Sequence, residues 1–193
     1  MKTDIILSGV GGQGILSVAT IIGEAALAEN LYIKQAEVHG MSQRGGDVQS
    51  NLRLSDQPIN SDLIAAGSAD VIISLEPMEA LRYLPYLAQE GWIITSSTPF
   101  VNIPNYPDEN RLKAELEKLP HVVMLDVDAL AKEHNLPKSA NVILLGAAAK
   151  ALQIIGYEDL EKSIARVFAG KGQAVVEMNI KALSIGYRAV EKI

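Results

Sequence analysis

Cysteine is absent from all 193 residues. That one absence excludes disulfides, thiolate zinc sites, cysteine nucleophiles and iron–sulfur clusters ligated by this chain. No run of 18 uninterrupted apolar residues occurs, so no membrane span is expected. Met1-Lys2-Thr3-Asp4 leads straight into an apolar stretch, with neither the h-region nor the cleavage site of a signal peptide. Basic residues are outnumbered 17 to 23, and the resulting charge of −6 argues against nonspecific nucleic-acid binding. The three histidines are scattered without metal-ligand spacing. Ser96 and Ser97 lack the G-x-S-x-G elbow of a hydrolase. Internal repeats, low-complexity tracts and interdomain linkers are also missing. A single domain over 1–193 with a cytoplasmic location is the expectation that remains.

Apolar residues make up 48% of the chain, enough for a sizeable core. Asp4-Ile5-Ile6-Leu7-Ser8 reads as a buried strand ended by glycines. From Gly14 to Asn30, Ile15, Val18, Ile22, Ala25, Ala26 and Leu27 recur at helical spacing, and 31–36 reads as a second strand. This β-turn-α-β order implies a parallel sheet. After a polar loop at 39–46, Val48, Ser50, Leu52 and Leu54 alternate with Asp47, Gln49, Asn51 and Arg53. Period two predicts a half-exposed strand where a dinucleotide fold would place a crossover helix. Further strands are expected at 70–75, 91–95 and 122–125. A helix should start at Pro77 and run to about Leu84, and another should span 111–119. Asp126 or Asp128 should cap the helix after the last strand. Residues 97–110, rich in proline and asparagine, read as a long surface loop of the kind that is functional or partner-facing. The C-terminal third is helical: Asn141–Ile155 nearly all apolar, Gly156 as a stop, Tyr157–Phe168 amphipathic, then a stripe of Val176, Ile180, Leu183, Tyr187 and Val190. The fold class is therefore α/β, three layers around a mostly parallel, Rossmann-like sheet. It carries an inserted hairpin-like segment after strand 2.

Gly9-Val10-Gly11-Gly12-Gln13-Gly14 matches G-x-G-x-x-G between a predicted strand and helix. Glycines there permit positive φ and close ligand approach, and a helix N-terminus attracts phosphate. The same pattern also serves as a plain structural turn. Glu37, near the end of strand two, stands where a dinucleotide enzyme places its ribose-binding acid. A nicotinamide-binding oxidoreductase or regulator is thus a second reading, set against the missing crossover helix.

Three motifs together carry a family resemblance over nearly the whole chain: Gly9–Gly14, Glu37-Val38-His39-Gly40-Met41-Ser42-Gln43-Arg44-Gly45-Gly46, and Asn141-Val142-Ile143-Leu144-Leu145-Gly146. They resemble the gamma-type domain of 2-oxoacid:ferredoxin oxidoreductases, and the middle motif looks like the indolepyruvate type. The resemblance implies oxidative decarboxylation of an aryl-2-oxoacid with coenzyme A and oxidised ferredoxin, giving acyl-coenzyme A, carbon dioxide and reduced ferredoxin. It also implies that thiamine diphosphate, Mg2+ and iron–sulfur clusters sit in larger partner subunits, with coenzyme A as a shared substrate. The chain itself fits that division. It has no cysteine, and no Gly-Asp-Gly stretch with the following asparagine that binds the thiamine metal. An accessory subunit, inactive in isolation and able to pair with itself there, is expected. The candidate site is Gly9, Gly11, Gly12, Gln13 and Gly14 with Ser42, Gln43, Arg44, Gly45 and Gly46. These would meet a nucleotide phosphate, with Arg44 supplying charge. A third reading is an assembly subunit whose turn binds nothing.

Several residues stay open on sequence grounds. Arg44 either contacts a ligand or bonds the carbonyls of its own loop. His39 is either a base or a loop-orienting group. Glu76 lies on the ligand-bearing edge of the sheet, or else it is a helix-start acid. Met41 and Met78 read as packing residues, His121 and His134 as surface residues, and the apolar helix from Asn141 as core before interface.

Overall fold

The computed structural model describes residues 1–40, 45–136 and 138–190. Six strands form one sheet: β1 (Lys2–Val10), β2 (Tyr32–His39), β3 (Asp47–Ser55), β4 (Ala69–Ser74), β5 (Leu87–Ser96) and β6 (Val122–Leu125). Their spatial order is β2-β3-β1-β4-β5-β6. β1, β4, β5 and β6 pair in parallel, whereas β3 runs antiparallel to both of its neighbours. Helix α1 (Ile15–Ala28) carries the chain from β1 to β2, but β2 lands two positions away. The β2–β3 hairpin then folds β3 back into the vacant slot, from Lys2↔Ser55 to Val10↔Asp47.

β3 is thus an interior strand, not the half-exposed one its alternation predicts. Leu52 and Leu54 face the main core, as the pattern requires. The polar face is covered as well. Arg53 forks onto Asp4 and donates to the Ser61 and Leu63 carbonyls, while Asn51 accepts from the Ile64 N–H. Side-chain period two reports which face a residue is on, not what covers that face.

The main core fills the sheet face covered by α1, α4 (Val127–Glu133), α5 (Ala140–Ala148), α6 (Tyr157–Val167) and α7 (Gln173–Ala189). A smaller core on the other face packs Ile6, Ile72 and Ile93 against α2 (Pro77–Arg82) and α3 (Glu109–Glu117). Acid caps set three helix starts: Glu76 for α2, Asp108 for α3 and Asp126, not Asp128, for α4. In the last helix the predicted stripe points inward, with Val176 and Leu183 buried and Ile180 and Tyr187 packed on the core.

Three boundaries differ from expectation by three residues or more. β2 runs on past Ala36 to His39. β5 starts four residues early, at Leu87. The apolar helix from Asn141 stops at Ala148, not Ile155. Beyond it the backbone tightens into i→i+3 bonds, Ala149 to Gly146 and Ala151 to Ala148. Tertiary contacts then claim the segment, for Thr3 donates its hydroxyl to the Leu152 carbonyl and Lys150 reaches the Val190 carbonyl. Apolar composition kept Ala149, Ala151, Leu152 and Ile155 buried without keeping them helical.

α5 and α7 cross at two glycines. A Cβ on Gly146 would run into the Leu183 carbonyl, and one on Gly186 into the Ile143 carbonyl. Reciprocal absence of side chains lets the two backbones touch.

Candidate functional site

The C-terminal ends of β1, β2, β4 and β5 and the first residues of β3 meet on one edge of the sheet. This is the edge where open α/β sheets bind ligands. The glycine turn lies at its centre. Gly12 and Gly14 adopt φ of 105° and 86°, so both need glycine. α1 starts directly after Gly14 with no side-chain cap on its first N–H groups.

Gly45 and Gly46 lie against the turn. The Gly11 N–H donates to the Gly46 carbonyl at 2.8 Å, and the Gly45 N–H to the Gly11 carbonyl at 3.3 Å. Gln13 acts as an internal strut. Its side-chain oxygen accepts from the Val10 N–H at 2.7 Å and its amide donates to the Leu75 carbonyl at 3.1 Å, linking the ends of β1 and β4. Gly9 makes room for that strut, since a Cβ there would stand 2.8 Å from the Gln13 oxygen. From behind, Asn141 on α5 donates to the Gly14 carbonyl at 3.1 Å. The third sequence motif is therefore tied directly to the first.

A cavity of about 390 Å³ opens beside the turn, lined by Gly11, Gly12, Gly14, Leu16, Glu37 and His39 with Val10, Ile15 and Val48. Glu37 and His39 project from β2 on the α1 side of the sheet, two strands from β1 instead of one. His39 keeps its Nδ1 3.1 Å from the Gly40 carbonyl. Among the candidates, Ser42, Gln43 and Arg44 lie outside the described residues, as does Met41.

Glu76 unites its two sequence readings. It is fully buried at the ligand-bearing edge, and its carboxylate caps α2 by accepting the Glu79 N–H at 2.8 Å. The other oxygen accepts the Phe100 N–H at 3.3 Å and the Tyr106 hydroxyl. Burial first, and then the bond to this carboxylate, push the Tyr106 phenol well above its ordinary range. Residues 97–107 carry no charge and leave Phe100, Val101 and Ile103 exposed, while Asn102 turns inward and donates to the Gly45 carbonyl at 2.7 Å. Sequence reading missed Asn102, Tyr106 and the reach of Asn141. The one available signal was a polar residue in the first turn of an otherwise apolar helix. His121, expected at the surface, is half-buried with its ring stacked 4.8 Å from Trp92. Among the described residues no group of three or more acidic or histidine side chains could hold a metal ion, and no helix is long and apolar enough to cross a membrane.

A doubly wound sheet with a glycine turn at its edge and β3 wedged between β1 and β2 defines a class that sequence comparison names. Residues 4–189 match the pyruvate ferredoxin/flavodoxin oxidoreductase family, and the chain belongs to it. Within that family it is 34% identical to the indolepyruvate oxidoreductase subunit IorB of Archaeoglobus fulgidus, over 97% of this chain and 94% of the relative. It is 28% identical to the 2-oxoglutarate synthase subunit KorC of Methanocaldococcus jannaschii, over 100% and 96%. The fold matches a pyruvate oxidoreductase subunit of Thermotoga maritima with TM-score 0.73 at 21% identity, covering 97% and 96% of the two chains. It also matches the 2-oxoglutarate:ferredoxin oxidoreductase of Magnetococcus marinus with TM-score 0.75 at 20% identity. That match spans all of this chain but 32% of the larger one, so there the fold is one part of a longer polypeptide.

Proposed function

We propose that this chain is the accessory subunit of a 2-oxoacid:ferredoxin oxidoreductase that acts on indolepyruvate or a similar aryl-2-oxoacid. The observation that carries the site assignment is the cavity between the glycine turn and β2, open at the ligand-bearing edge. Coenzyme A is the ligand that chemistry favours. Its phosphates suit the uncapped first turn of α1, and Gly12 and Gly14 let the chain pass close to them. Gly11 joins them in lining the cavity. Gly9, Gln13, Gly45 and Gly46 hold the turn in shape, and Ser42, Gln43 and Arg44, next to Gly45 in sequence, would supply donors and charge.

Thiamine diphosphate, Mg2+ and iron–sulfur clusters belong to larger partner subunits, through which ferredoxin is reduced in the cytoplasm. The uncharged 97–107 loop has the apolar, charge-depleted composition of an interface core and suits contact with such a subunit. A stand-alone nicotinamide enzyme is disfavoured by the family and by the position of β2.

The test is calorimetric titration of coenzyme A into the assembled complex. Arg44→Ala should weaken binding about tenfold, the value of one charge-assisted hydrogen bond. Unchanged affinity rejects the phosphate assignment.

A further inference from the structure

We infer that residues 97–106 form a strap that clamps the Gly45–Gly46 segment onto the glycine turn, with buried Glu76 as its anchor and Asn102 as its clasp. This role rests on the site reading above and adds three positioning residues to it: Glu76, Asn102 and Tyr106.

The connections form an unbroken series. Glu76 is held at the end of β4, where Ser74 donates its hydroxyl to the Glu76 carbonyl at 2.7 Å and α2 seats one carboxylate oxygen. The second oxygen takes hydrogen bonds from the backbone of Phe100 and the hydroxyl of Tyr106, on either side of Asn102. The strap is thereby fixed at both flanks, and proline at 99 and 104 narrows its remaining freedom. Asn102 then spans to the Gly45 carbonyl at 2.7 Å. Gly45 and Gly46 exchange hydrogen bonds with Gly11 inside the turn. A buried carboxylate that is fully satisfied can hold a loop firmly, because releasing the loop leaves one of its oxygens without partners in a dry site. Gly45 lies at φ 78° with nothing within 4 Å of a would-be Cβ. No side-chain packing can hold it, so its position rests on hydrogen bonds: its N–H to the Gly11 carbonyl and its carbonyl to the Asn102 amide.

The strap is not itself placed against a ligand. It sets the position of the segment that completes the turn, so its loss should loosen the turn without touching the oxoacid chemistry.

Two near-isosteric variants test this, Asn102→Leu, which removes the donor without adding charge, and Tyr106→Phe, which keeps the ring. Amide hydrogen exchange at Gly11 and Gly45 should accelerate about fivefold in both, the scale of one lost hydrogen bond. Exchange within α7 should stay as in the parent chain. In the assembled complex, KM for coenzyme A should rise about fivefold by the same reasoning, while KM for the oxoacid does not move. Unchanged exchange at Gly11 and Gly45 in both variants overturns the strap. If Arg44→Ala weakens coenzyme A binding and neither strap variant does, the positioning role falls and the site reading stands. If Arg44→Ala has no effect, the site reading falls, and the exchange rates alone still decide the strap.

Discussion

Asn141 and Gly14 are 127 residues apart in sequence and joined by one hydrogen bond, from the Asn141 side-chain amide to the Gly14 carbonyl at 3.1 Å. Asn141 also accepts the N–H of Val142 at 3.0 Å, so a single side chain serves both the start of α5 and the cap of α1. Asn141→Ala should lower stability by about 1 kcal/mol, the net value of one hydrogen bond, because the Gly14 carbonyl and the Val142 N–H keep backbone partners in Ser17 and Ser139. Denaturant unfolding measures this, and a midpoint equal to that of the parent chain would show the bond to be idle.

Glycines in the helices should divide by position. Gly146→Ala and Gly186→Ala push a Cβ into facing backbone, which cannot rotate away. Each should cost about 3 kcal/mol or more, or prevent folding. Gly23→Ala, in α1 with open space around it, should stabilise by about 0.5–1 kcal/mol through helix propensity. Comparable melting temperatures for all three would refute the close approach of α5 and α7.

Asp4 sets an acid limit. Burial works to raise its pKa, but the hydrogen bonds from Arg53 and Lys2 and their charges more than offset it, holding the carboxyl below its ordinary 3.8. An unfolded chain then binds a proton that the folded chain refuses, so the pair stabilises the fold above that value. The contribution drains away as pH falls from 3.8 through the lower folded value. Asp4→Asn should flatten this part of the stability–pH curve and cost about 2–3 kcal/mol at neutral pH, since Arg53 loses its charged acceptor. Parallel curves for the two proteins would contradict the assignment.

Glu37 bears on the ligand. This residue lines the cavity, and a negative charge near bound phosphates opposes them. Glu37→Gln should tighten coenzyme A binding about threefold, the scale of one repulsion across a few ångströms of solvated protein. Weaker binding would instead mean that Glu37 accepts from a ribose hydroxyl.

Sequence by itself determined most of the strands and helices, the parallel character of the sheet, the glycine turn between β1 and α1, and the family. These rest on local signals: apolar period, proline at a helix start, acidic caps, and glycine where positive φ is needed. It also marked β3 as a strand where a crossover helix was due. Tertiary structure alone decided that β3 would lie between β1 and β2, that α5 would end at Ala148, that Gln13 would point inward, and that Glu76, Tyr106, Asn102 and Gly45 would form one connected series. Each of these depends on a partner tens of residues away. A buried hydrogen bond is chosen by which groups the finished fold excludes from water, and no local pattern in the chain records that choice.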